Sequence, residues 1–235
     1  MAEFRPGSFN MIPPVIKNLV IINALVFFAQ MTFGNSSAFN IDNLFALHDI
    51  HSVYFKPYQV ITYMFLHGGF QHIFFNMFAL WMFGSVLENL WGAKRFLIFY
   101  IACGVGAAIL HLIILYYEMA PIMEYVRHSF SFEQQQELIY SDRFKVNVGT
   151  VGASGAIFGC LAAFGYLFPN SYIYLYFFFP MKVKWFVLLY AGMELYLGVA
   201  NSAGDNVAHW AHLGGALVGF VMVWYWNRTN RRTFY

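Results

Sequence analysis

Six apolar stretches restrict what this chain can fold into. They cover residues 15–33, 70–88, 95–117, 152–168, 183–200 and 207–226. A helix needs about 20 predominantly apolar residues to cross a bilayer, and every stretch reaches or approaches that length. Only 10% of the 235 residues are charged. A soluble domain carries about 25%, so these charges cannot cover a water-facing surface. Lipid is the solvent for most of the chain, and the expected fold is an all-α membrane protein with six spans.

Basic residues set the expected orientation, because cytoplasmic loops are enriched in Lys and Arg. With both termini inside, the inner segments hold Arg5, Lys17, Lys94, Arg95, Lys182, Lys184, Arg228, Arg231 and Arg232, which is 9 of 13 Lys and Arg. The outer segments hold Lys56, Arg127, Arg143 and Lys145. Asp42, Asp49, Glu118, Glu124, Glu133, Glu137, Asp142 and Asp205 all fall outside. An N-in, C-in topology follows.

Two outer connections are long. Residues 34–69 are half apolar and read as a structured loop partly sunk in the interface. Residues 118–147 are polar and read as a loop containing one short helix, "FEQQQELIY", opened by a capping box of Ser131 and Gln134. The two cysteines, Cys103 and Cys160, lie in apolar stretches, and no disulfide is assigned. A net charge of +2 gives no footprint for nucleic acid. The N-terminal segment shows no cleavable signal and no Arg-rich transit character, so the expected location is a bacterial cytoplasmic membrane.

Polar side chains inside spans are costly and are functional candidates by default. Here they are His72, Asn76, Glu88, His111, Ser154, Glu194, His209 and His212. Small residues beside a serine can be simple helix packing, and a lone histidine or asparagine can be a structural hydrogen bonder. Depth argues otherwise for four of them. His72, Asn76, Ser154 and His212 lie within about 10 Å of the outer end of their helices at 1.5 Å per residue. His72 and Asn76 are i and i+4, so they share a face. Gly155 with Gly159, and Gly215 with Gly219, would let the fourth and sixth spans approach closely. That approach sets His212 against Ser154. A serine hydroxyl becomes a nucleophile when an adjacent neutral histidine takes its proton. The oxyanion that develops needs donors, and Asn76, His72 and the unpaired N–H of Ser154 at a helix start supply them. For that N–H to be unpaired, the fourth helix must begin no earlier than about Val151, with "VNVGT" as a non-helical lead-in. A metal held by His209 and His212 is not expected, because no Cys, Asp or Glu converges on the pair in the sequence.

These residues stand in three motifs: "HIFFN" (72–76), "GASG" (152–155) and "AHLGGALVG" (211–219). In order, spacing and span number the chain resembles the rhomboid intramembrane serine proteases over roughly 57–220. The resemblance implies one six-helix domain across 1–235. It implies a Ser154–His212 dyad without a third acid, with Ser154 as nucleophile and His212 as general base. His72 and Asn76 would stabilise the oxyanion, and Gly152, Gly155, Phe158, Gly215 and Gly219 would support the site. The implied reaction is cleavage of transmembrane protein substrates near the outer membrane face, with no cofactor and no metal. Two positions depart from the pattern. Tyr58-Gln59 stands where many members carry Trp-Arg in the first loop. Phe158 stands where many carry Tyr, so it can stack on His212 but cannot hydrogen-bond. Glu88 and Gly92 match an E-x-x-x-G at the end of span two, read as structural. An inactive rhomboid-like protein that binds membrane segments is the alternative, but such relatives usually lack the serine or the histidine. A transporter would need a polar file through the bilayer, whereas this cluster stops near one face.

Overall fold

A computed structural model describes residues 9–33, 40–141, 144–175, 178–200 and 208–229. Of the charged residues that set the expected orientation, Arg5, Asp142, Arg143, Asp205, Arg231 and Arg232 lie outside the described residues, as does Val207 at the start of the sixth stretch. The described chain is mostly helical. Among the described residues, four helical runs are long and apolar enough to cross a membrane: Pro14–Phe33, Phe70–Trp91, Ala93–Ser129 and Val183–Ala200.

Helix α1 (Pro14–Phe33) opens on a proline, which suits a first helical position because it brings no N–H. The next two amides, of Val15 and Ile16, donate to the two carboxylate oxygens of buried Glu88, each at 2.9 Å. Glu88 therefore caps the start of α1, the structural role read from E-x-x-x-G. The second run is α4 (Phe70–Ala79), a π-helical turn over Leu80–Gly84, and α5 (Ser85–Trp91).

Between these runs, residues 40–69 of the expected outer loop are structured, and residues 34–39 lie outside the described residues. The loop contains α2 (Ile41–Phe45), α3 (Gln59–Thr62) and a 3-10 turn at Tyr63–Phe65. Fully buried Gln59 holds it together. Its amide nitrogen donates to the carbonyls of Tyr54 (2.8 Å) and Leu44 (3.1 Å), and its oxygen accepts from the Lys56 amide (3.1 Å). Glutamine thus organises the loop where the family pattern has arginine. Burial pushes His48 and His67 in this loop to act as weaker bases, His67 down to about 4.

Helix α6 (Ala93–Ser129) departs from expectation. It does not stop near 117 but runs 37 residues, with Pro121 inside it. The reason is tertiary: Met119 and Val126 bury against Phe144 and Val146, forming a second small core. That contact sustains a polar, proline-containing segment which its composition marks as a loop. Helix α7 (Phe132–Ile139) follows with the expected capping box. A 3-10 turn at Lys145–Asn147 leads to α8 (Ser154–Leu167), which is buried between α6 and α10.

One short hairpin is added to the otherwise helical frame. Strands β1 (Tyr172–Leu175) and β2 (Phe179–Lys182) pair antiparallel, with Tyr172 opposite Lys182 and Leu175 opposite Phe179. Aromatic residues favour strands, and this aromatic run lies in the connection that follows α8. Helices α9 (Val183–Ala200) and α10 (His209–Thr229) complete the bundle. The 14 residues of α8 make it short for a span, and α10 has the length but carries polar residues and glycines that lower its hydropathy.

Candidate active site

The site is built around the start of α8. Residues Val148 to Ala153 are not helical, so α8 begins at Ser154. Val146 and Asn147 form part of the preceding 3-10 turn, so only part of the expected lead-in is extended. The outer loop clamps this lead-in. Leu47 and Thr150 exchange two backbone hydrogen bonds, at 2.8 and 2.9 Å. Thr150 Oγ1 also bonds His111 Nε2 at 2.8 Å, and the Gly152 amide donates to the Tyr63 carbonyl at 2.9 Å. Gly152 has φ +134°, a conformation that side chains resist. A Cβ there would also sit 2.9 Å from the His72 ring.

Helix α10 brings in the second partner. A Cβ on Gly219 would lie 2.5 Å from the Gly159 carbonyl oxygen, and one on Gly215 would overlap the Gly155 carbonyl. These backbones touch directly, as the paired small residues suggested. The approach places His212 Nε2 2.8 Å from Ser154 Oγ. Phe158, one turn on from Ser154, stacks on the His212 ring with centroids 4.3 Å apart and planes 4° from parallel. The ring plane is therefore set by packing, and no hydroxyl is needed for it.

His72 and Asn76 stand differently. The Gly68 amide donates to His72 Nδ1 at 3.2 Å. That bond puts the ring proton on Nε2, and Nε2 is the nitrogen that would lie 3.0 Å from a Cβ on Gly152. His72 thus turns an N–H toward the serine loop. Asn76 is buried one turn on, with one amide proton on the His72 carbonyl at 3.0 Å. It adjoins His72, and no hydrogen bond joins it to Ser154 among the described residues.

Glu194 overturns one expectation. No acid converges on the two histidines in the sequence, yet in the fold this buried side chain of α9 reaches both. Its Oε2 lies 2.9 Å from His212 Nδ1 and 2.6 Å from His209 Nδ1. Ligand atoms of the three residues lie within 4.8 Å of one another, a grouping that could hold a metal ion. With the carboxylate ionised, both Nδ1–H groups donate hydrogen bonds to it. In the sequence Glu194 stands out only as the one acid deep in a span. The available signal was that such an acid needs a partner, and only the packing of α9 on α10 shows which. His67 carries no sequence signal of its own. It is buried edge-on to His72, with ring centroids 5.1 Å apart.

Comparison with known proteins shows the family. The Rhomboid domain family profile matches residues 54–229. "Rhomboid protein 1, mitochondrial" of Saccharomyces cerevisiae is 30% identical over 173 residues, covering 71% of this chain and 41% of that protein. "Rhomboid protease GluP" of Bacillus subtilis is 29% identical, covering 69% of this chain and 25% of its own length. "Rhomboid protease AarA" of Providencia stuartii is 28% identical over 211 residues, covering 86% of this chain and 68% of that protein. The chain therefore spans less than half the length of the first two relatives.

Proposed function

The chain belongs to the rhomboid family, and from that membership we propose that it is an intramembrane serine endopeptidase cleaving transmembrane proteins near the outer membrane face. The observation that carries the reading is the 2.8 Å contact between Ser154 Oγ and His212 Nε2. Ser154 gives its proton to His212 as its oxygen attacks a peptide carbonyl. The negative charge on the carbonyl oxygen meets the Ser154 N–H, His72 Nε2–H and the Asn76 amide. The start of α8 adds partial positive charge there. His212 then protonates the departing amine, and water hydrolyses the acyl-enzyme by the reverse sequence.

In this reading six helices cross the bilayer, with both termini cytoplasmic. Helix α8 spans roughly 21 Å at 1.5 Å per residue, less than the roughly 30 Å hydrocarbon core. Its outer end would lie below the membrane surface, so water must reach Ser154 from the side of the outer loop. A substrate helix must unwind to enter. Retention of both reactive residues in hydrogen-bond contact favours an enzyme over an inactive binder.

The test is cleavage of a single-span model substrate by purified protein in lipid. Ser154→Ala and His212→Ala should each abolish cleavage while the protein stays folded. The double variant should be no worse than either single, because such groups act as a unit. Full activity in Ser154→Ala would sink the assignment.

A further inference from the structure

His212 can serve as a base toward Ser154 in only one tautomer. Its Nε2 must carry the lone pair, because that nitrogen faces the serine oxygen at 2.8 Å. Its proton must then sit on Nδ1, and Nδ1 lies 2.9 Å from Glu194 Oε2. An ionised carboxylate only accepts hydrogen bonds, so it selects the Nδ1–H tautomer. His209, one turn before His212 on α10, donates to the same oxygen at 2.6 Å. That second bond holds the carboxylate in place and shares the cost of burying its charge, which an unpaired acid within a span would bear alone.

Resting on the protease reading above, we propose that Glu194 is a positioning residue that completes a Ser154–His212–Glu194 triad, with His209 as its anchor. During attack, the Ser154 proton moves to His212 Nε2 and the ring becomes an imidazolium. Glu194 keeps its charge, accepts the Nδ1–H throughout and stabilises that imidazolium. The proton leaves again from Nε2 to the departing amine nitrogen. Phe158 fixes the ring's plane and Glu194 fixes its rotation and its proton. A glutamine at 194 would be isosteric but could present N–H to Nδ1, drawing the proton onto Nε2 and abolishing the base. In serine proteases of another fold, the corresponding acid-to-amide change lowers kcat by about 10⁴ through the wrong tautomer.

Two measurements on the full chain in lipid test this. The first is steady-state cleavage of the model substrate by wild type, Glu194→Gln and Glu194→Asp, beside the rate at which a fluorophosphonate labels Ser154. Glu194→Gln should lower kcat by about 10²-fold or more with KM unchanged. Labelling should slow in parallel, and Glu194→Asp should retain more activity than Glu194→Gln. Wild-type kcat in Glu194→Gln would overturn the proposal and leave the protease reading standing. A wild type that neither cleaves nor takes the label would overturn both. The second measurement needs no stable variant at 194. Histidine ¹⁵N NMR of the wild type, with His212 assigned by its loss in His212→Ala, should show Nδ1 protonated and Nε2 bare at neutral pH. An Nε2–H tautomer would overturn the proposal whatever the variants do.

Discussion

At the scale of single residues, the proposed site divides into groups whose partners are fixed and groups that would meet a substrate. His72 belongs to the second kind. Its Nδ1 is occupied by the Gly68 amide, so its remaining N–H is available to an oxyanion at the serine loop. His72→Ala should lower kcat by roughly 10²-fold with little change in KM, the signature of a bond made only in the transition state. Asn76→Ala should fall in the same range. Steady-state kinetics decide the matter, and a variant that loses only thermal stability would mark its residue as helix glue. His67 gives a different prediction. Burial, and secondarily the nearby His72, hold its folded pKa at about 4 against an ordinary 6.5. The native loop therefore prefers the neutral ring, and the unfolded loop binds the extra proton. Its contribution to stability is fully present above about pH 6.5 and is lost as pH falls toward 4. His48 shifts in the same direction. Hydrogen exchange should show residues 40–69 opening in that window while the core of α8 stays protected. Equal protection of the loop at pH 7 and pH 4 would refute it.

At the scale of elements, the contact between α8 and α10 matters most, since the proposed nucleophile and its proposed base lie on different helices. The backbone of Gly215 rests on the Gly155 carbonyl, and a methyl group has no room there. Gly215→Ala should push the helices apart, costing about 1–3 kcal/mol from overpacking. Loss of activity should be larger than that cost implies, because the Ser154–His212 hydrogen bond lies one turn away. A lowered melting temperature with kcat intact would show that the glycine contact serves stability alone. This contact was legible in the sequence because glycines four apart on each of two spans mark faces where backbones can meet. So were Ser154, His212 and Phe158, each placed by motif and by helical period. What was not legible depended on partners distant in the chain. Glu194 is fifteen residues before His209 and on a different helix. Gln59 looked like the loss of an arginine, but a neutral amide can bind several backbone groups when all converge on it. The outer third of α6 read as loop because its stabilising contacts come from Phe144 and Val146, beyond the next helix. Hydropathy registers what lipid requires of a segment and is silent on what a neighbour supplies.

At the scale of the whole molecule, charge and length argue one orientation. Helix α6 is about 55 Å long at 1.5 Å per residue, nearly twice the hydrocarbon thickness, so one end must project. Its start carries Lys94 and Arg95, and Arg95 stacks over Trp226 near the end of α10 at 4.1 Å. Arg228 lies over Trp224 in the same region, at 4.4 Å. Basic residues seated on tryptophans suit the cytoplasmic interface. The opposite end of α6 carries Glu118 and Glu124 and leads into α7, with Glu133 and Glu137. That end adjoins the lead-in to Ser154 through the Asn147 amide, which donates to the Ile139 and Ser141 carbonyls at 2.7 and 3.0 Å. The serine thus lies toward the acidic end, and we propose that the basic, tryptophan-lined end is the cytoplasmic one. Cysteine substitution measures this directly, because native Cys103 and Cys160 are buried and leave little background. A membrane-impermeant maleimide on intact cells should label Glu133→Cys and leave Thr229→Cys unlabelled until the cells are opened. The reverse pattern would invert the topology and place the serine chemistry at the cytoplasmic face, where only segments emerging on that side could be cut.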